Sequence, residues 1–265
     1  MERLNRVKKA IKDKGNLLVM FSGGVDSTLL ARLAYDSLGE YAATVTIDSP
    51  IVPLSDTKDA RRLAELIGIR HEIISIDELK DSKFTNNPPN RCYICRKIRD
   101  KTIRSWADKN GFEVVADGMN YSDFDDYRPG LKASDEDDIW HPFIEFKVTK
   151  HDIRRYSLAL GLPTWDGPAT VCLCSRFPYG FELDKERIKR VGRAEAFLKA
   201  LGFSQVRVRY FPYDTALVEV ETLENALEQK DEIVSKLKNI GFLFVTLDLE
   251  GFKSGRINRV IQTKH

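Results

Sequence analysis

The sequence predicts an α/β protein with a parallel sheet, followed by a smaller α+β domain. Three observations support this prediction. Apolar runs of strand length alternate with amphipathic segments of helix length over residues 1–166, the pattern of a sheet covered on both faces. Residues 167–180 carry two close cysteines among glycines and prolines, which indicates a loop and a domain boundary. Over residues 181–265 the order changes to αββαβ, typical of a small two-layer unit.

The first domain is predicted to contain a series of strands, each ending at a turn. They are Leu17–Phe21, Tyr41–Ile47, His71–Ile76 and Phe112–Ala116, the last running into Asp117-Gly118-Met119-Asn120. The predicted helices are residues 1–14, one from Asp26, one capped by Ser55, one from about Tyr93 to Ala107, and one capped by Thr149 and ended by Gly161. Ligands of such folds lie beyond the carboxyl ends of the strands, so the turns that follow the strands are candidate sites.

The second domain and the stretch before it are less regular. Asn120 to Ile139 is polar and rich in aspartate, so it is predicted to be a long loop with a solvated acidic surface. Asp184 is predicted to cap a helix to Gly202, and Thr222 one to Gly241. The predicted strands are Val206–Phe211, Ala216–Val220 and Phe242–Leu249.

Composition restricts the classes of partner. The chain has 42 Lys and Arg against 40 Asp and Glu, a formal charge of +2, which is too small to argue for nucleic acid. No early segment has the pattern of a signal peptide, and no apolar run approaches the ~18 residues of a membrane-spanning helix. We therefore expect a soluble, cytoplasmic protein without a membrane partner. The histidines match no ligand spacing and are predicted to be structural, and Glu195 is predicted to form surface ion pairs.

The turn after the first predicted strand has the composition of a phosphate site. It reads Ser22-Gly-Gly-Val-Asp-Ser27 and leads into a helix. Gly23 and Gly24 allow an anion close to the backbone, where the amides and dipole of the helix N-terminus converge. Ser22 and Ser27 can donate hydroxyls, and Asp26 can hold Mg²⁺. No lysine follows the glycines as in a Walker loop, so other cations must meet the phosphate charge.

The cysteines fall into two close pairs, Cys92/Cys95 and Cys172/Cys174. Without a secretion signal, metal binding or sulfur chemistry is favoured over a structural disulfide. The two-residue gap of the first pair suits zinc, an iron-sulfur cluster, a redox dithiol or two unligated thiols. Three thiolates can bind a cubic cluster and leave one iron open, whereas four would close a zinc site. The one-residue gap of the second pair favours three.

Several motifs together resemble known families. Ser22–Ser27 in its strand and helix context resembles the PP-loop of the ATP pyrophosphatases, which activate an acid as an adenylate. Cys172-Leu-Cys-Ser-Arg-Phe-Pro-Tyr-Gly180 is similar to a signature of the LarE family, the pyridinium-3,5-biscarboxylic acid mononucleotide sulfurtransferases of nickel-pincer nucleotide synthesis. Further similar segments are Asp126–Leu131, His141–Glu145 with Thr149-Lys150, Arg207-Val-Arg209 and Gly251–Gly255. The resemblance spans nearly the whole chain.

The resemblance implies an enzyme that uses ATP and Mg²⁺ to adenylate a carboxylate of a small mononucleotide, after which sulfur displaces AMP. The implied ATP-binding residues are Phe21, Ser22, Gly23, Gly24, Val25, Asp26, Ser27, Ile47 and Gly118, with Asp26 also catalytic and the Mg²⁺ ligand. The implied substrate-phosphate residues are Ser175, Arg176, Arg207 and Arg209. The last two alternate with apolar residues, which places both guanidinium groups on one strand face.

The resemblance also implies a sulfur source. Cys92, Cys95 and Cys172 are the implied catalytic residues and the ligands of a 4Fe-4S cluster that delivers sulfide, while in some members the cysteine at position 172 sacrifices its own sulfur. Cys174 departs from the family pattern, which has a small residue there, and is an alternative ligand or a resolving thiol. Family members assemble as multimers, so we expect a homo-oligomer with the second domain as its substrate-binding and oligomerisation domain.

Rival functions stay open at this point. A tRNA thiolase joins a similar loop to a similar cluster but should present a basic surface. An amidating ligase such as NAD synthetase would leave the paired cysteines unexplained. A zinc-stabilised nucleotide-binding module would bind ATP without catalysis.

Overall fold

The computed structural model describes residues 2–125, 129–167, 171–253, 256 and 259. The chain forms two compact units, the first from Met1–Asp77 and Asn90–Thr170, the second from Glu78–Pro89 and Val171–His265. Residues 78–89 thus belong with the C-terminal part, where Leu183 N donates to Thr85 O at 2.7 Å and Gly180 N to Asn87 O at 2.9 Å. Parts of the predicted motifs, at 126–128, 168–170 and 254–255, lie outside the described residues.

The elements are given in chain order. The α-helices are α1 (Glu2–Lys14), α2 (Val25–Leu38), α3 (Leu54–Ile67), α4 (Ser82–Thr85), α5 (Arg91–Lys109), α6 (Pro129–Glu136), α7 (Pro142–Glu145), α8 (Lys150–Ala159), α9 (Lys185–Ala200), α10 (Leu223–Glu228) and α11 (Lys230–Ile240). The strands are β1 (Leu17–Met20), β2 (Ala42–Asp48), β3 (Arg70–Ser75), β4 (Val115–Ala116), β5 (Val206–Phe211), β6 (Thr215–Val220) and β7 (Phe244–Leu247). Short 3₁₀ segments are Gly39–Tyr41, Glu78–Lys80, Tyr121–Asp125 and Leu173–Arg176.

The first unit contains a parallel sheet in the order β3-β2-β1-β4, which confirms the predicted α/β class. The central strand β1 is almost wholly buried because helices cover both sheet faces: α2 packs on β1 and β2, and Leu18 lies with Ile103 of α5 in a separate apolar cluster. Val19 is paired with both Thr44 and Ala116. The carboxyl ends of β1, β2 and β4 therefore meet at one sheet edge, as parallel pairing requires.

The second unit contains a three-stranded sheet in the order β5-β6-β7, antiparallel between β5 and β6 and parallel between β6 and β7. Val206, Val208 and Tyr210 are buried, and α9 and α11 pack against this sheet. The smaller α+β fold predicted for the C-terminal part is confirmed.

Some local predictions are confirmed by side-chain geometry. Thr149 and Asp152 form a reciprocal capping box at the start of α8, and the Asp184 carboxylate accepts the backbone N–H groups of Glu186 and Arg187. These caps are encoded within one helical turn, so the local sequence is enough to predict them.

Other local predictions are wrong. Residues 120–139 are not one loop, because they contain the Tyr121–Asp125 3₁₀ segment and α6. Neither Ser55 nor Thr222 caps a helix with its side chain: α3 begins after Pro53, and Thr222 makes no capping hydrogen bond. The expected single helix to Gly241 is α10 and α11, divided at Gln229. Strand β4 is two residues long, since only Val115 and Ala116 pair with β1.

The acidic stretch contains α6, which packs on α5. Tyr93 Oη donates to Glu136 Oε2 at 2.6 Å, and Lys97 pairs with Asp137. Such contacts between segments about forty residues apart do not show in local periodicity. None of the helices in the described part of the chain has the length and apolar character needed to cross a membrane.

Candidate active site

The turn between β1 and α2 presents backbone amides toward the sheet edge. Gly24 is the N-cap of α2, and no side chain caps the helix there. Amides in the first turn of a helix have no intrahelical acceptor, so this turn suits an anion. Gly23 has a φ of 73°, and a Cβ there would lie 3.3 Å from the Ala60 backbone. A glycine is therefore required at that position by both conformation and space.

The two serine hydroxyls of the turn are brought together. Ser22 Oγ and Ser27 Oγ are 3.2 Å apart, Ser22 N lies 3.3 Å from Ser27 Oγ, and Gly24 N donates to Ser22 Oγ at 3.3 Å. These weak internal bonds keep both hydroxyls at the mouth of the loop. They are the kind of bonds that a phosphate oxygen can replace.

The Asp26 carboxylate forms an ion pair with Lys150, a residue remote in the chain. Lys150 Nζ lies 2.6 Å from Asp26 Oδ2, and Asn120 Nδ2 donates to Asp26 Oδ1 at 3.3 Å. Lys150 is the first residue of α8, placed by the Thr149 capping box, and its backbone N–H donates to Ser122 Oγ at 3.1 Å. Sequence reasoning gave Lys150 no role. The signals for it were a strong helix cap next to a lysine and the similarity of Thr149-Lys150 to a family segment.

Gly118, in the turn that follows β4, packs against the loop between β1 and α2. A Cβ at this position would lie 2.8 Å from Ser27 N and 2.9 Å from Asp26 C, so the turn that follows β4 lies directly against the N-terminus of α2. No other glycine of the described chain meets its neighbours so closely. This contact brings Gly118 to the loop.

Asp117, directly before Gly118, is buried and fully hydrogen-bonded. Its Oδ2 accepts Arg96 Nη2 at 2.5 Å, and its Oδ1 lies 2.7 Å from His141 Nδ1. Burial would raise the pKa of the Asp117 carboxyl, but the Arg96 charge and the His141 hydrogen bond outweigh it and lower that pKa. His141 is thus a buried hydrogen-bonding residue, in line with a structural histidine.

The other predicted ATP residues contribute apolar surface and backbone. Phe21 is buried, its N–H donates to Val45 O at 2.8 Å, and its carbonyl accepts Thr46 Oγ1 at 2.5 Å. Val25 is buried in the first turn of α2. Ile47 is half-buried near the carboxyl end of β2, at the same sheet edge.

Cys92 and Cys95 lie in the first turns of α5. Residues three apart are neighbours on one helix face, so both thiols face the same side. Cys92 is exposed and Cys95 half-buried. Gly130 of α6 packs beside them, with its Cβ position 3.8 Å from Cys92 O.

The second cysteine pair belongs to the second unit, where its members differ in exposure. Cys172 is half-buried at the N-cap of the Leu173–Arg176 3₁₀ segment, and Cys174 is fully buried inside that segment. Ser175 Oγ donates to Cys172 O at 2.9 Å and Arg176 Nη1 to the same carbonyl at 3.2 Å. The backbone of Cys172 is therefore held by two of the four residues predicted to bind phosphate.

Two of the predicted phosphate-binding arginines form buried ion pairs. Arg176 donates to both carboxylate oxygens of Glu195 at 2.7 and 2.9 Å, and Arg209 to those of Glu219 at 2.5 and 3.1 Å. Glu195 is only 4% exposed and also accepts Val208 N at 3.0 Å. The prediction of a surface ion pair at Glu195 is wrong, because the packing of α9 on β5 encloses it.

Arg207 differs from Arg176 and Arg209 in its partners. Within the described residues no carboxylate forms a salt bridge with it, and its guanidinium lies 4.8 Å from the ring centroid of Phe252. Burial, together with the Arg176 and Arg209 charges, lowers the pKa of Arg207 to about 10. A half-buried cation repelled by other cations is a favourable partner for an incoming anion.

The described residues contain no group of three or more His, Cys, Asp or Glu side chains placed to hold a metal ion. Cys92 and Cys95 belong to the first unit and Cys172 and Cys174 to the second. Each unit by itself thus offers two cysteines.

Comparison with known proteins identifies relatives over the whole chain. The asparagine synthase family profile matches residues 4–84. The chain is 38% identical over 252 residues to pyridinium-3,5-bisthiocarboxylic acid mononucleotide synthase of Lactiplantibacillus plantarum, covering 94% of this chain and 91% of that protein. It is 42% identical over 265 residues to an uncharacterized protein of Synechocystis sp., covering 98% of each. A tRNA-specific 2-thiouridylase of Desulforamulus reducens is 27% identical over 198 residues, 60% of this chain and 54% of that one.

Proposed function

Because the chain belongs to the pyridinium-3,5-bisthiocarboxylic acid mononucleotide synthase (LarE) family, we propose that it converts a carboxylate of pyridinium-3,5-biscarboxylic acid mononucleotide to a thiocarboxylate. As a member of this family with a PP-loop domain, it is an ATP-dependent sulfurtransferase, as the motifs predicted. The substrate, the sulfur source and the use of the product in nickel-pincer nucleotide synthesis are part of the proposal.

The observation that carries the proposal is the loop between β1 and α2. Its uncapped amides, its glycine at positive φ and the nearby Lys150 together suit a nucleoside triphosphate. Asp26 lies in the first turn of α2 and would hold Mg²⁺ bound with ATP, which requires Lys150 to exchange Asp26 for phosphate oxygen. Lys150 would then supply the positive charge that the Walker lysine supplies in other phosphate-binding loops.

The first chemical step is displacement at the α phosphorus. A substrate carboxylate oxygen attacks it, the bond to the β-phosphate oxygen breaks, and pyrophosphate leaves. The loop amides and Lys150 stabilise the charge that develops on the leaving group, which is where preorganised donors act most strongly. Sulfur then adds to the acyl carbon and AMP leaves, so a poor leaving group is displaced in two easier steps.

In the second unit we assign the substrate phosphate to Arg207 and Ser175, with Arg176 and Arg209 beside them. The support is electrostatic: Glu195 and Glu219 form salt bridges with the last two arginines, whereas no carboxylate of the described residues forms a salt bridge with Arg207. Arg176 and Arg209 then act mainly by orientation, since Arg209 Nη1 donates to Ser175 O at 3.2 Å.

For the sulfur source we propose that Cys92, Cys95 and Cys172 hold a 4Fe-4S cluster. Cys92 and Cys95 fit this role because they share one helix face and one is exposed, and Cys172 fits better than the fully buried Cys174. When bound, the cluster supplies sulfide at its open iron. Cys172 as a sacrificial sulfur donor is the alternative, and it needs no iron.

The test is anaerobic purification followed by assay with the mononucleotide, Mg²⁺-ATP and sulfide. We expect substrate-dependent pyrophosphate release and a product heavier by the replacement of oxygen by sulfur. Cys92→Ala should lose iron and multiple turnover, while Cys174→Ala is the matched control that keeps both. A single turnover with loss of hydrogen sulfide mass from the Cys172 peptide would identify the sacrificial route.

Other outcomes would overturn the proposal. Thiolated tRNA as the product would establish a tRNA thiolase, and ammonia-dependent amide formation would establish a ligase. Colourless protein that contains zinc, lacks iron and releases no pyrophosphate would establish a nucleotide-binding module.

We also propose that the chain forms a homo-oligomer through its second unit. Strand β7 is at an edge of the sheet, and Phe244 on it is 58% exposed, with Leu243 and Tyr213 also exposed. Exposed apolar edges are frequent association sites. Sedimentation of the native chain should give a multimer, and Phe244→Ser should shift it toward the monomer. A native monomer would contradict this proposal.

A further inference from the structure

One buried ion pair in the first unit joins the helix that carries Cys92 and Cys95 to the strand end that contacts the ATP loop. We propose that this pair, Arg96 with Asp117, couples the two sites, so that a change at the cysteines alters ATP binding and ATP alters the cysteines. Arg96 and Asp117 are positioning residues in this proposal. The inference deepens the proposed function and rests on it, because it gives the cysteine pair a part in the reaction.

On the cysteine side, the guanidinium of Arg96 is fixed in place. Arg96 directly follows Cys95 in α5. Its Nε donates to Asp100 Oδ2 at 2.9 Å, while Nη2 lies 2.5 Å from Asp117 Oδ2 and 3.3 Å from Met20 Sδ. A planar guanidinium held at two of its nitrogens has little rotational freedom. The first turns of α5 are therefore held against the ends of β1 and β4.

On the nucleotide side, Asp117 controls the turn that presses on the loop. Its Oδ1 accepts the backbone N–H of Met119 at 3.0 Å, which fixes the turn through Gly118. The Cβ position of Gly118 lies 2.8 Å from Ser27 N, closer than a side chain could approach. A shift of this turn must therefore move the N-terminus of α2 with it, because packed interiors transmit displacement.

The pair is well placed to transmit such a shift. The Asp117 side chain is 6% exposed and that of Arg96 19% exposed, so solvent cannot replace either partner when they separate. His141 Nδ1, 2.7 Å from Asp117 Oδ1, holds the other oxygen. A motion of α5 is consequently followed by the Asp117 turn rather than absorbed by it.

The experiment measures coupling in both directions on the full chain. Iodoacetamide is used to alkylate Cys92 and Cys95, with peptide mass spectrometry to follow each site, and a non-hydrolysable ATP analogue with Mg²⁺ is used to measure affinity. In the native protein, alkylation should change the dissociation constant of the analogue by about fivefold or more. Zn²⁺ bound by the cysteines and the analogue should change each other's affinity by one common factor, as reciprocal linkage requires.

The variants then place the coupling on the ion pair. Arg96→Met should bring both factors close to one, and Arg96→Lys, which can keep one bond, should leave an intermediate factor. Arg32→Met is the matched control, since Arg32 pairs with Asp36 at i,i+4 as Arg96 does with Asp100, but on an exposed surface. It should keep the native factors. Native coupling that persists in Arg96→Met would overturn the proposal, as would the absence of coupling in the native chain.

A readout in the native chain covers the case in which Arg96→Met fails to fold. Alkylation should accelerate hydrogen exchange of the Met119 amide, which a purely structural role of the ion pair would leave unchanged. Unchanged exchange would again overturn the proposal. Neither measurement needs iron or catalysis, so their failure is distinguishable from a failure of the proposed function, which pyrophosphate release and thiocarboxylate formation test.

Discussion

Lys150 Nζ lies 2.6 Å from Asp26 Oδ2, so the first residue of α8 and the first turn of α2 form an ion pair at the mouth of the nucleotide loop. The two residues are far apart in the chain and only partly exposed. Each neutralises the other in the structure. In the ATP complex that we propose, the same arrangement would offer a cation for phosphate and a carboxylate for Mg²⁺.

Lys150→Met removes that cation with little change in side-chain length. We expect kcat for pyrophosphate release to fall by about 10²- to 10³-fold, the effect of losing one preorganised donor to developing charge. Lys147→Met is the control, because Lys147 is exposed and outside this ion pair, and it should keep near-native kcat. Equal activity of the two variants would contradict a role for Lys150 in ATP chemistry.

Gly118→Ala introduces a Cβ 2.8 Å from Ser27 N, where backbone must move to admit it. The displaced α2 N-terminus should bind ATP at least about tenfold more weakly, since loop donors must match the phosphate oxygens closely. Titration calorimetry with an ATP analogue measures this. Gly130→Ala, with its nearest neighbour at 3.8 Å, is expected to bind normally. Normal binding by Gly118→Ala would show that the contact does not shape the loop.

Arg207→Gln should stabilise the chain and abolish binding of the substrate phosphate. The lowered pKa of Arg207, about 10, means that the folded state disfavours its cation, so near neutral pH the charge opposes folding. In phosphate-free buffer at pH 7 we expect a melting temperature higher by no more than about 2–4 °C. Inorganic phosphate should raise the melting temperature of the native chain and not that of the variant. A variant less stable than the native chain would contradict this account.

Asp117→Asn and Asp100→Asn should differ in cost although both residues contact Arg96. Asp117 has a pKa below its ordinary 3.8, so its charge stabilises the fold above that pH, and the contribution is lost as pH falls through the lowered value. Burial raises the pKa of Asp100 in spite of Arg96, so its charge adds no stability near neutral pH. Urea unfolding at pH 7 should show a loss of about 3–5 kcal/mol for Asp117→Asn and a much smaller change for Asp100→Asn. The difference in unfolding free energy between the two variants should narrow as pH falls below 3.8. A difference that stays constant with pH would contradict a stabilising charge on Asp117.

Glu195→Gln leaves the buried Arg176 without its carboxylate. We expect the free energy of unfolding to fall by about 3–5 kcal/mol, the cost of breaking a buried ion pair from one side. Glu186→Gln on the same helix removes an exposed partner of Lys189 and should cost under about 1 kcal/mol. Similar costs for the two variants would mean that Glu195 is accessible to water.

Much of the fold was predictable because its signals are local. The strand, the glycines and the helix around Ser22–Ser27 are adjacent in the chain, and the caps at Thr149 and Asp184 act within one turn. The same reasoning was wrong at Ser55 and Thr222, where a suitable residue stands near a helix start but makes no capping bond. It was also wrong for α6, which packs on α5, because contacts between segments about forty residues apart do not show in the local pattern.

The sequence by itself determined the α/β class, the nucleotide loop, the two cysteine pairs and the family, because each is recorded in short runs of residues. Tertiary structure alone decided which charged side chains are already paired within the protein and which can still bind a ligand. It paired Lys150 with Asp26 and enclosed Arg176 and Arg209 with Glu195 and Glu219. Among the residues that the structure describes, it gave Arg207 no carboxylate in a salt bridge. The physical reason is that an ion pair depends on distance and burial between residues remote in the chain, and local spacing carries information about neither.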